Sequence, residues 1–142
     1  MKNTYFTITF LTSAAGADCA SAMAEGASTK TAAVRGNVGD HGFHLWMPHA
    51  TNRGYTITAY GSFQSTPSGT LVKVRFFLEP LSLVTFAMIG VGLVLLAQAH
   101  AWGLVIALSL FALIAGAFYA RSARAERSRI TRFIVETCHG GI

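Results

Sequence analysis

Three histidines, His41, His44 and His49, fall within nine residues of one another, the cluster in this chain that most resembles a set of metal ligands. A metal centre needs imidazoles that converge on one point and neighbours that fix each ring. The strand pattern described below puts His41 in a turn, His44 on the polar side of a strand and His49 in a loop. Only loop folding would bring them together, and solvent-exposed polar histidines are the competing reading. Cys19 and Cys138 lie near opposite ends of the 142-residue chain, the second followed by His139. Two cysteines so placed predict neither a disulfide framework nor a paired metal motif. The acids are Asp18, Glu25, Asp40, Glu79, Glu126 and Glu136. No two are spaced as a general acid and base, and none forms the carboxylate-rich motif by which membrane phosphotransferases hold divalent metals. The stretch "GNVGDHG" is a turn, not a phosphate loop, because no helix start follows it. These residues predict a non-enzyme with no cofactor; a membrane-surface ligand or metal sensor and a small lipid-modifying enzyme are the alternatives.

The elements that would position these residues follow from composition. Charged residues are 12% of the chain and apolar ones 52%, against about 25% charged in ordinary globular domains. From Leu81 to Ala120 there are forty residues without an Asp, Glu, Lys or Arg, and a helix needs ~20 residues to cross a bilayer. The pattern predicts two spans, 81–99 and 102–120, with His100 and Ala101 between them as the tip of a transmembrane hairpin. Trp102 and Tyr119 fit an interfacial aromatic belt. Lys73 and Arg75 precede the first span, while Arg121, Arg124, Arg127, Arg129 and Arg132 follow the second. The positive-inside rule then places both termini in the cytoplasm of a bacterial inner (plasma) membrane. The same five arginines, in a basic tail over 121–142, suit anionic lipid headgroups rather than nucleic acid. Ala112, Gly116 and Ala120 form a small-residue series, as do Gly103 and Ala107, with Gly90 and Gly92 on the first span. They serve packing within the hairpin or, alternatively, a homo-oligomer or a partner's helix.

Residues 34–79 read as a β module. Val72, Val74, Phe76 and Leu78 alternate with Lys73, Arg75 and Glu79, and Ile57, Ala59, Gly61 and Phe63 alternate with polar or aromatic neighbours, a period of two. "TPSG" supplies the turn between these runs. Pairing residue 65 with 70 sets Phe63 opposite Val72, Gly61 opposite Val74, Ala59 opposite Phe76 and Ile57 opposite Leu78, all on one face. Pairing 38 with 43 across Gly39–Gly42 makes a second hairpin. The result is a four-stranded antiparallel meander whose apolar face needs a cover. The candidates are the N-terminal segment, the basic C-terminal helix, a second copy or the membrane surface. Pro80 ends the last strand and suits the first turn of a helix.

The N-terminal 1–33 has two readings. Lys2, a mildly apolar run and "ASAMA" resemble a signal peptide with its cleavage site. The threonines in that run favour a β-prone start followed by an Ala/Ser/Gly-rich helix or flexible segment.

The order "G-x-V-x-x-x-x-F-x-L" (36–45), "RGYTITAYGSF" (53–63) and "SGTLVKVRFFLEP" (68–80), then two spans and a basic end, resembles short uncharacterised bacterial membrane proteins in which a small β module precedes a two-helix membrane anchor. The resemblance rests on Phe43, Gly61, Gly69-Thr70 and Pro80 and implies architecture only. The expectation is an α+β membrane protein acting as a non-catalytic accessory or scaffold, whose β module docks a partner or a second copy.

Overall fold

The computed structural model describes residues 4–28, 33–48 and 57–139. The elements run β1 (Thr4–Thr12), α1 (Gly16–Ser28), β2 (Arg35–Gly39), β3 (Gly42–Trp46), β4 (Ile57–Thr66), β5 (Gly69–Leu78), α2 (Pro80–Gln98) and α3 (Trp102–His139). All five strands form one antiparallel sheet in the order β1-β5-β4-β3-β2. The β4–β5 hairpin has the register set by the hydrophobic alternation, with Phe63 opposite Val72 and Ile57 opposite Leu78. In the β2–β3 hairpin Val38 faces Phe43.

Two expectations are corrected. The sheet has five strands, not four, because β1 pairs along the free edge of β5 from Thr4 to Thr12. Within β1, Phe6, Ile8 and Phe10 alternate with Thr7 and Thr9, so one side is oily and its register with Val72, Val74 and Phe76 continues the core face. "ASAMA" accordingly lies inside α1, whose Cys19, Ala20, Met23 and Ala27 are buried. The second correction concerns the transmembrane hairpin and its separate basic helix. α3 is one helix of 38 residues that carries the apolar stretch and the arginines together. No Gly or Pro interrupts 117–139, so nothing ends the helix where its composition changes. Among the described residues, only α3 is long and apolar enough to cross a membrane, with a mean hydropathy of 2.2 over its best stretch; the described apolar run of α2, Leu83–Gln98, is shorter.

The apolar face of the sheet is covered by α1 and by the C-terminal half of α3. The core joins Met23 and Ala27 of α1, Phe43, Leu45, Ile57, Ala59, Val72, Val74 and Phe76 of the sheet, and Ala123, Ile130 and Ile134 of α3. Gly61 is required here: a Cβ at this position would collide with the Phe43 ring. Gly69, at φ 134°, closes the β4–β5 turn in a conformation open to glycine, and a side chain there would strike the Thr12 carbonyl.

Contacts along α3 fix its direction. Glu126 meets Ile57, which pairs with Leu78 at the end of β5. Cys138 meets Thr12, which pairs with Thr70 at the start of β5. α3 therefore runs along the sheet antiparallel to β5, and its first half projects beyond the end at which β5 passes into α2. At that junction Glu79 is extended and Pro80 occupies the first helical turn. α2 then packs against the projecting part of α3, with Phe86 edge-on to Tyr119 at 5.6 Å. At its far end the Ala101 N–H donates to Leu96 O and the His100 N–H to Ala97 O, with His100 at φ 58°. This is the Schellman closure of a helix, here with histidine in the left-handed position.

Candidate functional site

The histidine cluster does not assemble among the described residues. His41 lies exposed in the β2–β3 turn, His44 lies in β3 on the outer face of the sheet, and His49 lies outside the described residues. No group of three or more His, Cys, Asp or Glu close enough to hold a metal occurs among the described residues. His44 is instead part of an aromatic row. Its ring stacks on Tyr60 at 4.1 Å and 5° and lies 5.0 Å from Trp46, while Tyr60 meets Phe77 edge-on at 5.5 Å. His44 Nε2 is buried without a hydrogen-bond partner among the described residues. Burial lowers the His44 pKa below the ordinary histidine value, because the ring under its neighbours loses water that would solvate the cation.

The outer face has a second character. The strands hold three cations, Arg35, Lys73 and Arg75, and no Asp or Glu. All three lie on this face, because the registers align Arg35 with Trp46, and Arg75 with Tyr60. The β1 pairing sets Thr7 beside Arg75 and Thr9 beside Lys73; on the other side stand Tyr60 and Ser62. A shallow depression of about 290 Å³ lies over Tyr60, Gly61, Ser62, Lys73 and Arg75.

On the opposite face one buried acid and a disulfide hold the fold together. Glu126 is 4% exposed. Its Oε2 accepts from the Ile57 N–H at 3.0 Å and its Oε1 from Ser122 Oγ at 3.2 Å. The sequence had shown Glu126 only as an acid without a pair. Its position on the apolar stripe with Ala123, Ile130 and Ile134 was the signal that it points inward. Cys19 and Cys138, whose placement near opposite ends predicted no disulfide framework, form a disulfide across 119 residues, with Cα atoms 4.8 Å apart. Both sulfurs lie against Met23 Sδ, at 4.0 and 3.8 Å. The bridge closes because α1 and α3 run antiparallel over the same sheet face and each carries its cysteine on its buried side.

The arginines divide. Arg121, Arg124, Arg129 and Arg132 are exposed, and Arg121 and Arg124 lie where α3 leaves the sheet. Arg127 is half-buried, with its guanidinium 4.4 Å above the Phe6 ring. Arg129 and Arg132 border a cleft between α1 and α3 that also contains Phe133 and Glu136.

The projecting helices carry the largest exposed apolar surface. Fourteen large hydrophobic side chains from Leu83 to Phe118 are exposed, up to 71% at Phe118. Gly92 lies 3.9 Å from Leu108 and Gly116 lies 4.0 Å from Phe86, each measured from the Cβ it lacks; Gly90 and Gly103 meet nothing. The small residues thus split between the helix contact and the outer surface. In comparisons with known proteins, no family model, curated protein or solved structure matches the chain.

Proposed function

We propose that this protein is a non-catalytic accessory module of a bacterial inner membrane, held there by the first half of α3, against which α2 packs. The observation that carries the reading is the run of eight exposed large hydrophobics on α3 between Trp102 and Phe118. A soluble monomer rarely exposes a contiguous apolar patch beyond a few hundred Å², and lipid removes that surface from water. The sheet then stands with its strands along the membrane normal, because α3 runs antiparallel to β5 through both regions. Arg121 and Arg124, exposed where α3 leaves the sheet, meet anionic headgroups at ~1 kcal/mol each. The module serves to present its outer sheet face to a partner; Glu126, the acid buried within the fold, is committed to α3–β4 contacts.

Two signals bear on orientation and they disagree. Lys73, Arg75 and the five arginines favour a cytoplasmic module, whereas a disulfide persists in oxidising compartments. The cations act on insertion itself, whereas the bridge between the buried Cys19 and Cys138 forms only after insertion, as the compartment allows. The module is therefore cytoplasmic, and in growing cells Cys19 and Cys138 are thiols. Membrane fractionation tests the embedding: the protein should stay in the pellet through an alkaline wash and leave it only in detergent. Recovery as a soluble oligomer would show that a second copy, not lipid, covers the apolar surface.

A further inference from the structure

We propose that the outer face of the sheet binds a soluble phosphorylated anion between Lys73 and Arg75. These cations sit two residues apart on the same side of β5, about 6.7 Å along the strand. Each is flanked on both sides by a hydroxyl: Thr9 and Ser62 beside Lys73, Thr7 and Tyr60 beside Arg75. Directly opposed side chains start only ~5 Å apart. Two positive charges and four hydroxyls thus share one face, and those of Tyr60 and Ser62 line the depression together with both cations.

The balance of charge makes the surface incomplete on its own. Like charges this close on a sheet repel, and they are ordinarily interleaved with acids. Here the five strands carry no Asp or Glu. A phosphate brings several acceptor oxygens and close to two negative charges, which matches two cations flanked by hydroxyls that can donate to it. A carboxylate, with one charge and two oxygens, would leave part of that set unmatched. The depression over Tyr60, Gly61, Ser62, Lys73 and Arg75, about 290 Å³, leaves room for a phosphorylated small molecule.

Height above the bilayer decides between a free ligand and a lipid headgroup. Arg75 and Lys73 lie three and five residues from Leu78, where the sheet ends toward the membrane, so they stand about 10 and 17 Å above that end. A headgroup layer is only ~6 Å thick on each side. The protein's own bilayer does not reach the pair, so the source is soluble. This choice of source rests on the membrane reading; the site itself does not.

The test is a calorimetric titration of the full-length protein with inorganic pyrophosphate. It is run in detergent micelles and in nanodiscs of zwitterionic or anionic lipid. Saturable binding is expected in all three, weakened at least tenfold by Lys73→Gln or Arg75→Gln and reduced by added salt. Ser62→Ala, which keeps both charges, should weaken it severalfold, so the site is probed even where a charge variant folds poorly. Absence of saturable binding in micelles, or equal affinity in the variants, overturns the site whatever membrane fractionation shows. Binding lost only in anionic nanodiscs overturns the soluble source, because headgroups would then hold the pair. A single-stranded oligonucleotide binding a hundredfold tighter than pyrophosphate would overturn the small-molecule assignment.

Discussion

Replacing Glu126 with Ala should separate the two halves of α3, one packed on the sheet and one projecting from it. In the native protein Ile57 is fully buried and its N–H has the Glu126 carboxylate as acceptor at 3.0 Å. Alanine leaves that donor without its acceptor in a site closed to water, a loss of about 1–3 kcal/mol. It also releases Ser122 Oγ, held at 3.2 Å, and opens a void of several side-chain atoms, which adds roughly 1 kcal/mol. The expected destabilisation is about 3 kcal/mol. Glu126→Gln keeps a carbonyl oxygen for Ile57 and should lose only about 1 kcal/mol, the difference between a charged and a neutral acceptor. Hydrogen exchange of the Ile57 amide reads the effect directly. Exchange through opening of this contact should rise about a hundredfold in Glu126→Ala and less than tenfold in Glu126→Gln. Unchanged Ile57 protection in the alanine variant would show that the α3–β4 link does not depend on this carboxylate.

Other consequences follow from single side chains. Reduction of the Cys19–Cys138 bridge, which spans 119 residues, should lower stability in detergent by about 3–5 kcal/mol on chain-entropy grounds. Chemical unfolding with and without reductant measures it, and overlapping curves would refute the estimate. Thiol trapping in intact cells should find both cysteines reduced; complete oxidation there would place the sheet outside the cytoplasm. Thr131 Oγ1 is buried with no hydrogen-bond partner among the described residues, so Thr131→Val should be neutral or stabilise by about 1 kcal/mol, and a melting temperature below that of the parent would contradict it. His44 binds its proton less readily in the folded state, so the unfolded chain takes up more protons as pH falls below about 6.5. Stability should therefore decline from pH 7 toward 5 more steeply in the parent than in His44→Asn, and equal slopes in denaturant titrations would remove His44 as the cause.

Much of the sheet was legible because its rules are local. Alternation of Val72, Val74 and Phe76 with Lys73 and Arg75 defines a strand and its faces, and matching it to Ile57, Ala59 and Phe63 fixes a register. Pro80 marks the junction because proline can start a helix and cannot extend a ladder. β1 shows the limit of such reading. Its threonines weakened any apolar signal, and its partner Thr70 lies 58 residues from Thr12, a pairing no local pattern specifies. The disulfide was hidden for the same reason. The break between span and basic tail was misread because composition changes at Arg121 while helix propensity does not. Half of the proposed anion site could be seen as cations on one strand face; the placement of Thr7 and Thr9 beside them required the β1–β5 pairing.

The depth of α3 in lipid tests the central claim most directly. Leu113, 70% exposed on the apolar part of α3, can be replaced by Trp after Trp46 and Trp102 are changed to Phe. In reconstituted bilayers its fluorescence should be quenched strongly by lipids brominated deep in their acyl chains and hardly at all by aqueous iodide. Strong iodide quenching with no effect of brominated lipid would mean that the projecting helices lie outside the bilayer.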